Sequence, residues 1–431
     1  MNDTKEKHIL VGFAVDVSGS MSQSIRNESR KDVNRFESFK GALRKLSRKT
    51  REKIDNCRKE GFKASVDVFA YVFGLRFFPN CDFLSLIHFR RENAKKSGLN
   101  LTGYINPYRE LVNIARKNGI EDMPGFEKWV RDILNQNEAG RLVSVLSQYP
   151  SIAKHIAKLL PKNIGQAMIA ETRNTTSKVI KYGKWVLIGL SFSNPLTAIA
   201  GIAGAKVAQD AIEDKELTKA KSLAKELANA SSDGDIIEIA IREIGQERFG
   251  RSLYAEVRKY GETLMPLEKL ADLLETQEKE LNKIEPFIYG NTPMTETLEL
   301  IKKRFEKELT KTHDNTIPLL FILSDGAPTD GDPLPIADSI KNEGIRIVSC
   351  LITDEDLVYP RTLFNEIQPE WSREAVLMYN MASSLGKNSV FAGSLKEHGW
   401  RVPVRSKMFV QVNHSEVLDE FIQIVLDPIR R

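Results

Sequence analysis

Asp16, Ser18 and Ser20 stand in Asp16-Val17-Ser18-Gly19-Ser20, directly after the apolar run Ile9 to Val15. Thr292 lies in Gly290-Asn291-Thr292-Pro293-Met294, just before a helical pattern, and Asp325 follows an apolar run in Leu323-Ser324-Asp325-Gly326. The side chains are two carboxylates and three hydroxyls, all hard oxygens. Such a set suits Mg²⁺, which wants octahedral oxygen geometry, keeps waters and often leaves a position for a ligand from elsewhere. In an open parallel sheet, ligand sites form beyond the carboxyl ends of strands where the strand order reverses. Three loops at such a point can share one ion. Each loop alone also reads as a helix N-cap, the commonest use of Ser and Asp before a helix. Only their coincidence points to a metal.

The same residues carry a resemblance. Asp16-Val17-Ser18-Gly19-Ser20, Thr292 and Asp325-Gly326 resemble the metal-ion-dependent adhesion site of the von Willebrand factor A family, in its intracellular type. The resemblance covers about residues 6 to 90 and 286 to 428 and leaves the middle of the chain unaccounted for. It implies a Rossmann-like α/β domain, a mostly parallel central sheet flanked by helices, with Mg²⁺ or Mn²⁺ at its top. It also implies that Ser18, Ser20 and Thr292 are direct or near-direct ligands, with Asp16 and Asp325 acting largely through waters. In family members an Asp or Glu of a protein partner typically fills the open coordination position. Members of the intracellular type often work in complexes with ATPases or other assembly machinery, and related bacterial domains accompany stress and defence systems. One departure is plain: here a long segment intervenes immediately before the Thr292 loop, so the insertion is expected near the metal rim, where it could cover, gate or extend the partner surface.

Other acidic residues read differently. Asp330 and Asp332 look like caps of the helix that follows them, and Thr353, Asp354, Glu355 and Asp356 like a solvated acidic loop. The chain has no GxxxxGK[ST], GxSxG or HExxH motif. Its six histidines, at positions 8, 88, 155, 313, 398 and 414, show no ligand spacing. If Asp16 and Asp325 serve a cation, their pKa values are held low and neither is poised for proton transfer near neutral pH. Mg²⁺ without a phosphate-cradling loop or an obvious base points to binding, with no enzymatic turnover expected.

The elements that must position these residues follow from apolar spacing. Ile9 to Val15 is a β-branched run typical of a buried parallel strand. Phe36, Phe39, Leu43 and Leu46 mark a solvated helix, Ala64 to Phe73 a second strand, and Phe83 to Phe89 a strand pairing back after the Pro79-Asn80 turn. The α/β rhythm returns with a helix through Met294, Leu298, Ile301, Phe305 and Leu309, then a strand Ile317 to Leu323. Asp332-Pro333 opens a helix to Asn342, closed by Gly344. Ile345 to Ile352 and Lys407 to Val412 are strands, and Ser415 to Leu426 a closing helix. Alternating strands and helices imply βαβ units. Between them helical spacing prevails, so the expected division is 1–90, a helical insertion 91–285, and 286–431.

Composition sets the outer limits. The 431 residues are 41% hydrophobic and 28% charged, which excludes disordered and collagen-like classes. A net charge of +5 is too small over this length to call for a nucleic-acid partner. The three cysteines, Cys57, Cys81 and Cys350, form no disulfide framework or CxxC pair, and the N-terminus lacks a signal-peptide pattern, so a reducing, cytoplasmic setting is expected.

Within the insertion, Trp185 to Ala205 carries no charge but is broken by Asn194-Pro195. The preceding stretch, Arg141 to Lys184, holds eight Lys or Arg against one acid, Glu171, and Ile152, Ile156, Leu159 and Leu160 share a face there. Two readings stand. One is a buried helical hairpin in an all-α subdomain. The other is a membrane-acting effector, contacting anionic lipid through residues 141–206 and regulated by the α/β domain.

Overall fold

In the computed structural model, residues 7–22, 24–26, 32–34, 41, 48, 51–52, 64–97, 106–169, 200–276, 290–312, 315–353, 361–386 and 389–425 are described. The strands are β1 (Lys7–Asp16), β2 (Ser24–Arg26), β3 (Asp32–Asn34), β4 (Ala64–Phe73), β5 (Asn80–Asp82), β6 (Met265–Pro266), β7 (Thr316–Ser324), β8 (Arg346–Ile352) and β9 (Phe409–Val412). Helices α1 (Phe83–Ser97), α2 (Pro107–Lys117), α3 (Met123–Ile133), α4 (Gln136–Gln148), α5 (Pro150–Leu159), α6 (Ala200–Asn229), α7 (Asp233–Ile244) and α8 (Gln246–Arg258) follow β5. After them come α9 (Leu267–Thr276), α10 (Met294–Leu309), α11 (Leu334–Asn342), α12 (Arg373–Met381), α13 (Val390–Glu397) and α14 (Ser415–Val425). The fold is α/β and Rossmann-like, interrupted by a long helical insertion.

Among the described residues the main sheet has seven strands, in the order β5-β4-β1-β7-β8-β9, with β6 against β4. The pairs β1–β4, β1–β7, β7–β8 and β8–β9 are parallel; only the short β5 and β6 run antiparallel to β4. The chain steps from β1 outward to β4, then returns to place β7 on the other side of β1. Strand order therefore reverses at the β1/β7 junction, where crevices open at carboxyl ends. Apolar residues fill both faces. Phe13 and Phe321 stack at 5.2 Å, and Phe69 meets Phe305 of α10 edge-on at 4.9 Å. Leu298, Ile301 and Phe305 are fully buried, as the three- and four-residue spacing of α10 requires.

Two local expectations are corrected. Phe83 to Phe89 is the start of α1, and the strand that pairs back on β4 is the preceding Asn80–Asp82. Asp82 Oδ1 accepts from the Ser85 amide at 2.7 Å, a cap that starts a helix where apolar density alone suggests a strand. Asp330 does not cap the helix after it. Its two carboxylate oxygens accept from the amides of Thr295 and Glu296, in the first turn of α10, while Asp332 accepts from Leu334 at the start of α11.

The chain divides into two compact units, 1–91 with 254–431, and 92–253. The first division lies beside the expected 90/91 boundary. The second falls earlier than 285/286, because the intervening residues pack with the sheet: β6 pairs β4, Tyr254 lies against Phe78, and Tyr71 Oη donates to Glu262 at 2.9 Å. The helical unit has its own core, including Leu111, Phe126, Trp129, Leu142, Ile152, Ile156, Leu223 and Phe249, all buried. Capping boxes at Asn135/Glu138 and Ser232/Asp235 start α4 and α7. Residues 185–199 of the uncharged segment, the Phe36 to Leu46 stripe, Cys57 and Asp354 to Asp356 lie outside the described residues. Among described residues, no helix is long and apolar enough to cross a membrane.

Candidate functional site at the carboxyl end of the sheet

Asp16 ends β1 and is fully buried. Its Oδ1 accepts from the Ser18 amide at 2.8 Å, which folds the loop back over the strand end. Its Oδ2 accepts from Ser324 Oγ at 2.6 Å, tying the ends of β1 and β7 across the switch point. Ser18 is buried and its Oγ lies 3.2 Å from Ser20 Oγ, in the short 3₁₀ turn Gly19–Ser22. Ser20 is half-buried.

The Thr292 loop reaches the same pole although it lies some 270 residues further along the chain. The Gly19 amide donates to the Gly290 carbonyl at 3.1 Å, and the Gly290 amide donates to the Gly74 carbonyl at 2.7 Å. Gly290 therefore bridges the loops after β1 and β4. Thr292 itself is buried; its amide donates to Thr329 Oγ1 at 3.0 Å and its carbonyl accepts from the Thr329 amide at 2.9 Å. That pair joins it to the loop after β7, where Asp325 is half-buried. The three loops carrying Asp16, Ser18, Ser20, Thr292 and Asp325 are thus held together by hydrogen bonds.

Several residues that build this pole carry no motif signal. Ser324 stands in the loop segment after the apolar run and carries no assigned role in sequence, yet its hydroxyl is the donor that fixes Asp16 and also accepts from the Gly326 amide at 3.0 Å. Gly74 has φ +86, and a Cβ there would lie 2.5 Å from the Ser18 nitrogen; a Cβ on Gly290 would run into the Leu75 carbonyl. Glycine allows these backbones to touch. Only their hydrogen-bond partners across the sheet reveal that need, and those are invisible in sequence order.

Burial pushes the Asp16 carboxyl up to about 6, and the neighbouring Asp325 charge adds to the rise, against hydrogen bonds from Ser18 and Ser324 that oppose it. A buried carboxylate beside a second one, with hydroxyls at hand, is a donor set that a small hard cation relieves and that imidazole- or thiol-seeking metals do not favour. Among the described residues no three His, Cys, Asp or Glu side chains gather as a metal cluster, so a cation here would rely on the serine and threonine oxygens.

Fold and loop pole define a class: a Rossmann-like α/β domain whose switch point gathers oxygen-bearing loops. Known proteins take that no further, since the chain matches no family model, no curated protein and no solved structure.

Proposed function

We propose that the chain is a non-enzymatic, Mg²⁺- or Mn²⁺-dependent protein-interaction module of the von Willebrand factor A kind. Asp16, Ser18, Ser20, Thr292 and Asp325 would hold the ion, and an Asp or Glu of a partner, in a cytoplasmic multiprotein complex, would complete its coordination. The observation that carries this reading is the hydrogen-bonded meeting of the three motif loops at the β1/β7 switch point. The oxygen-only donor set supports a divalent ion, and a partner carboxylate supplies the hard, charged ligand that such an ion leaves room for. With no phosphate-cradling loop or base in the sequence, the ion serves capture and not turnover.

Titration calorimetry of Mn²⁺ into the full chain tests the ion site. Saturable binding is expected for wild type and loss of it for Asp16→Ala and Ser18→Ala, with unchanged far-UV circular dichroism. Partner capture should then fall on EDTA treatment and return with Mg²⁺. Equal Mn²⁺ heats in all three proteins would remove the proposal.

A further inference from the structure

The lysines of the helical unit raise a separate question. Ser151, Lys154, His155 and Lys158 stand at helical spacing on α5, so they share one face, opposite the buried Ile152 and Ile156. That polar face is exposed at Lys154 and Lys158 and half-buried at Ser151 and His155. Together with Ile244, Arg248 and Ser252 it lines a cavity of about 200 Å³, between α5, the end of α7 and the first turns of α8.

The lining is one-sided in charge. Among the described residues it contains three cationic side chains, an imidazole and two hydroxyls, and no carboxylate. Among described residues, none of Lys154, Lys158 or Arg248 is held in an ion pair. Glu243, whose charge acts on His155, is already engaged by Arg242 at 3.0 Å and Lys219 at 3.1 Å. His155 Nε2 is buried and has no hydrogen-bond partner among the described groups. Burial lowers the His155 pKa first, then the positive field of Lys219; Arg248 and Lys158 add to this and Glu243 opposes it. Lys154, Lys158 and Arg248 are exposed, so these cations stand at the mouth of the cavity, and the buried, unpartnered His155 nitrogen is the group whose burial costs free energy until a ligand joins it.

We propose that this cavity is a binding site for a phosphate group, with Lys154, Lys158 and Arg248 neutralising its charge and Ser151, Ser252 and His155 supplying hydrogen bonds. Three properties select that class. The volume is below that of ordinary small-molecule pockets yet ample for one tetrahedral oxyanion. Arginine forks and lysine point charges are the usual phosphate pair. First-turn residues of α5 and α8 line the cavity, where helix ends favour negative charge. The lining residues all belong to the helical unit, and the proposal does not depend on the reading of the loop pole. The phosphate is either free or the headgroup of a lipid, and both present the same tetrahedral, anionic phosphate oxygens.

The test titrates inorganic phosphate into the full chain at constant ionic strength, followed by NMR of the His155 ring. The expected result is saturable binding that raises the His155 pKa. Affinity should drop by about tenfold or more in Lys154→Gln/Arg248→Gln, since each charge-assisted hydrogen bond contributes on that scale. Lys128→Gln, an exposed lysine on α3, is the control and should bind as wild type. A second arm measures flotation with phosphatidylcholine vesicles carrying phosphatidic acid or, as the control anion, phosphatidylserine. Preference for phosphatidic acid, lost in the double variant, assigns the lipid source; phosphate binding without flotation assigns the free one. The site is overturned if phosphate leaves the His155 resonance unmoved, or if the folded double variant binds phosphate as wild type does.

Discussion

Gly74 and Ser18 touch backbone to backbone, and that contact sets how the β1 loop sits over the sheet. A methyl group at Gly74 meets both a left-handed φ of +86 and the Ser18 nitrogen at 2.5 Å. Relieving it must shift the loop that carries Ser18 and Ser20. Gly74→Ala should therefore cost about 2 kcal/mol or more of stability, from overpacking and the unfavourable φ together, read as the urea midpoint. The same variant should weaken Mn²⁺ binding although it removes no oxygen ligand. Unchanged stability and unchanged Mn²⁺ affinity would mean the loop geometry is set elsewhere. Asp16 and Ser18 are legible in sequence as a motif; Gly74, Gly290 and Ser324 are not, because their roles exist only across strand neighbours.

Helix α10 depends on a residue outside itself. Its N-cap position is Pro293, which offers no side-chain acceptor, and Asp330 accepts from the Thr295 and Glu296 amides instead at 3.1 and 2.8 Å. Asp330→Ala should destabilise the sheet unit by about 1 kcal/mol, the usual worth of a cap. Because Thr292 lies just before the Pro293 cap of this helix, the variant should also speed amide exchange at Thr292 and at residues 294–296. Asp332→Ala, which removes the contact to Leu334, should leave those amides unaffected and loosen the start of α11. The reverse pattern would restore the simpler local-cap assignment. Sequence order alone favours the nearer helix for both aspartates. The choice between them is made by the loop after β7 folding back against α10, a contact 34 to 35 residues long in sequence. Phe83 to Phe89 is a parallel case, where apolar density fits a strand and the Asp82 cap decides for a helix.

At the scale of the whole molecule, stability should fall as pH rises through the mildly acidic range. Asp82 is buried, its Oδ2 has no hydrogen-bond partner among described residues, and burial lifts its pKa from 3.8 to about 6, against Ser85 and Arg304. The folded state thus holds this proton more tightly than the unfolded chain does. Its contribution is full below the unfolded value and is lost as pH climbs from about 4 to about 6; a shift of this size corresponds to about 3 kcal/mol. Asp82→Asn keeps an oxygen for the Ser85 amide and removes the charge, so its urea midpoint should vary much less over that window than wild type's. A wild-type midpoint that rises steadily across the same window, with the variant following it, would show that Asp82 is ionised in the fold.

What the chain's order of residues determined by itself is the alternation of apolar strands and amphipathic helices around a helical insertion, and the oxygen-bearing loops at strand ends. Period and composition are local properties, so they survive reading one residue at a time. Tertiary structure decided the rest: which loops meet, which glycines are obligatory, that residues 254–276 pack with the sheet, and that the α5 lysines ring a cavity. Those outcomes depend on contacts between segments far apart in the chain, whose energies come from burial and hydrogen bonding that no single window of sequence contains.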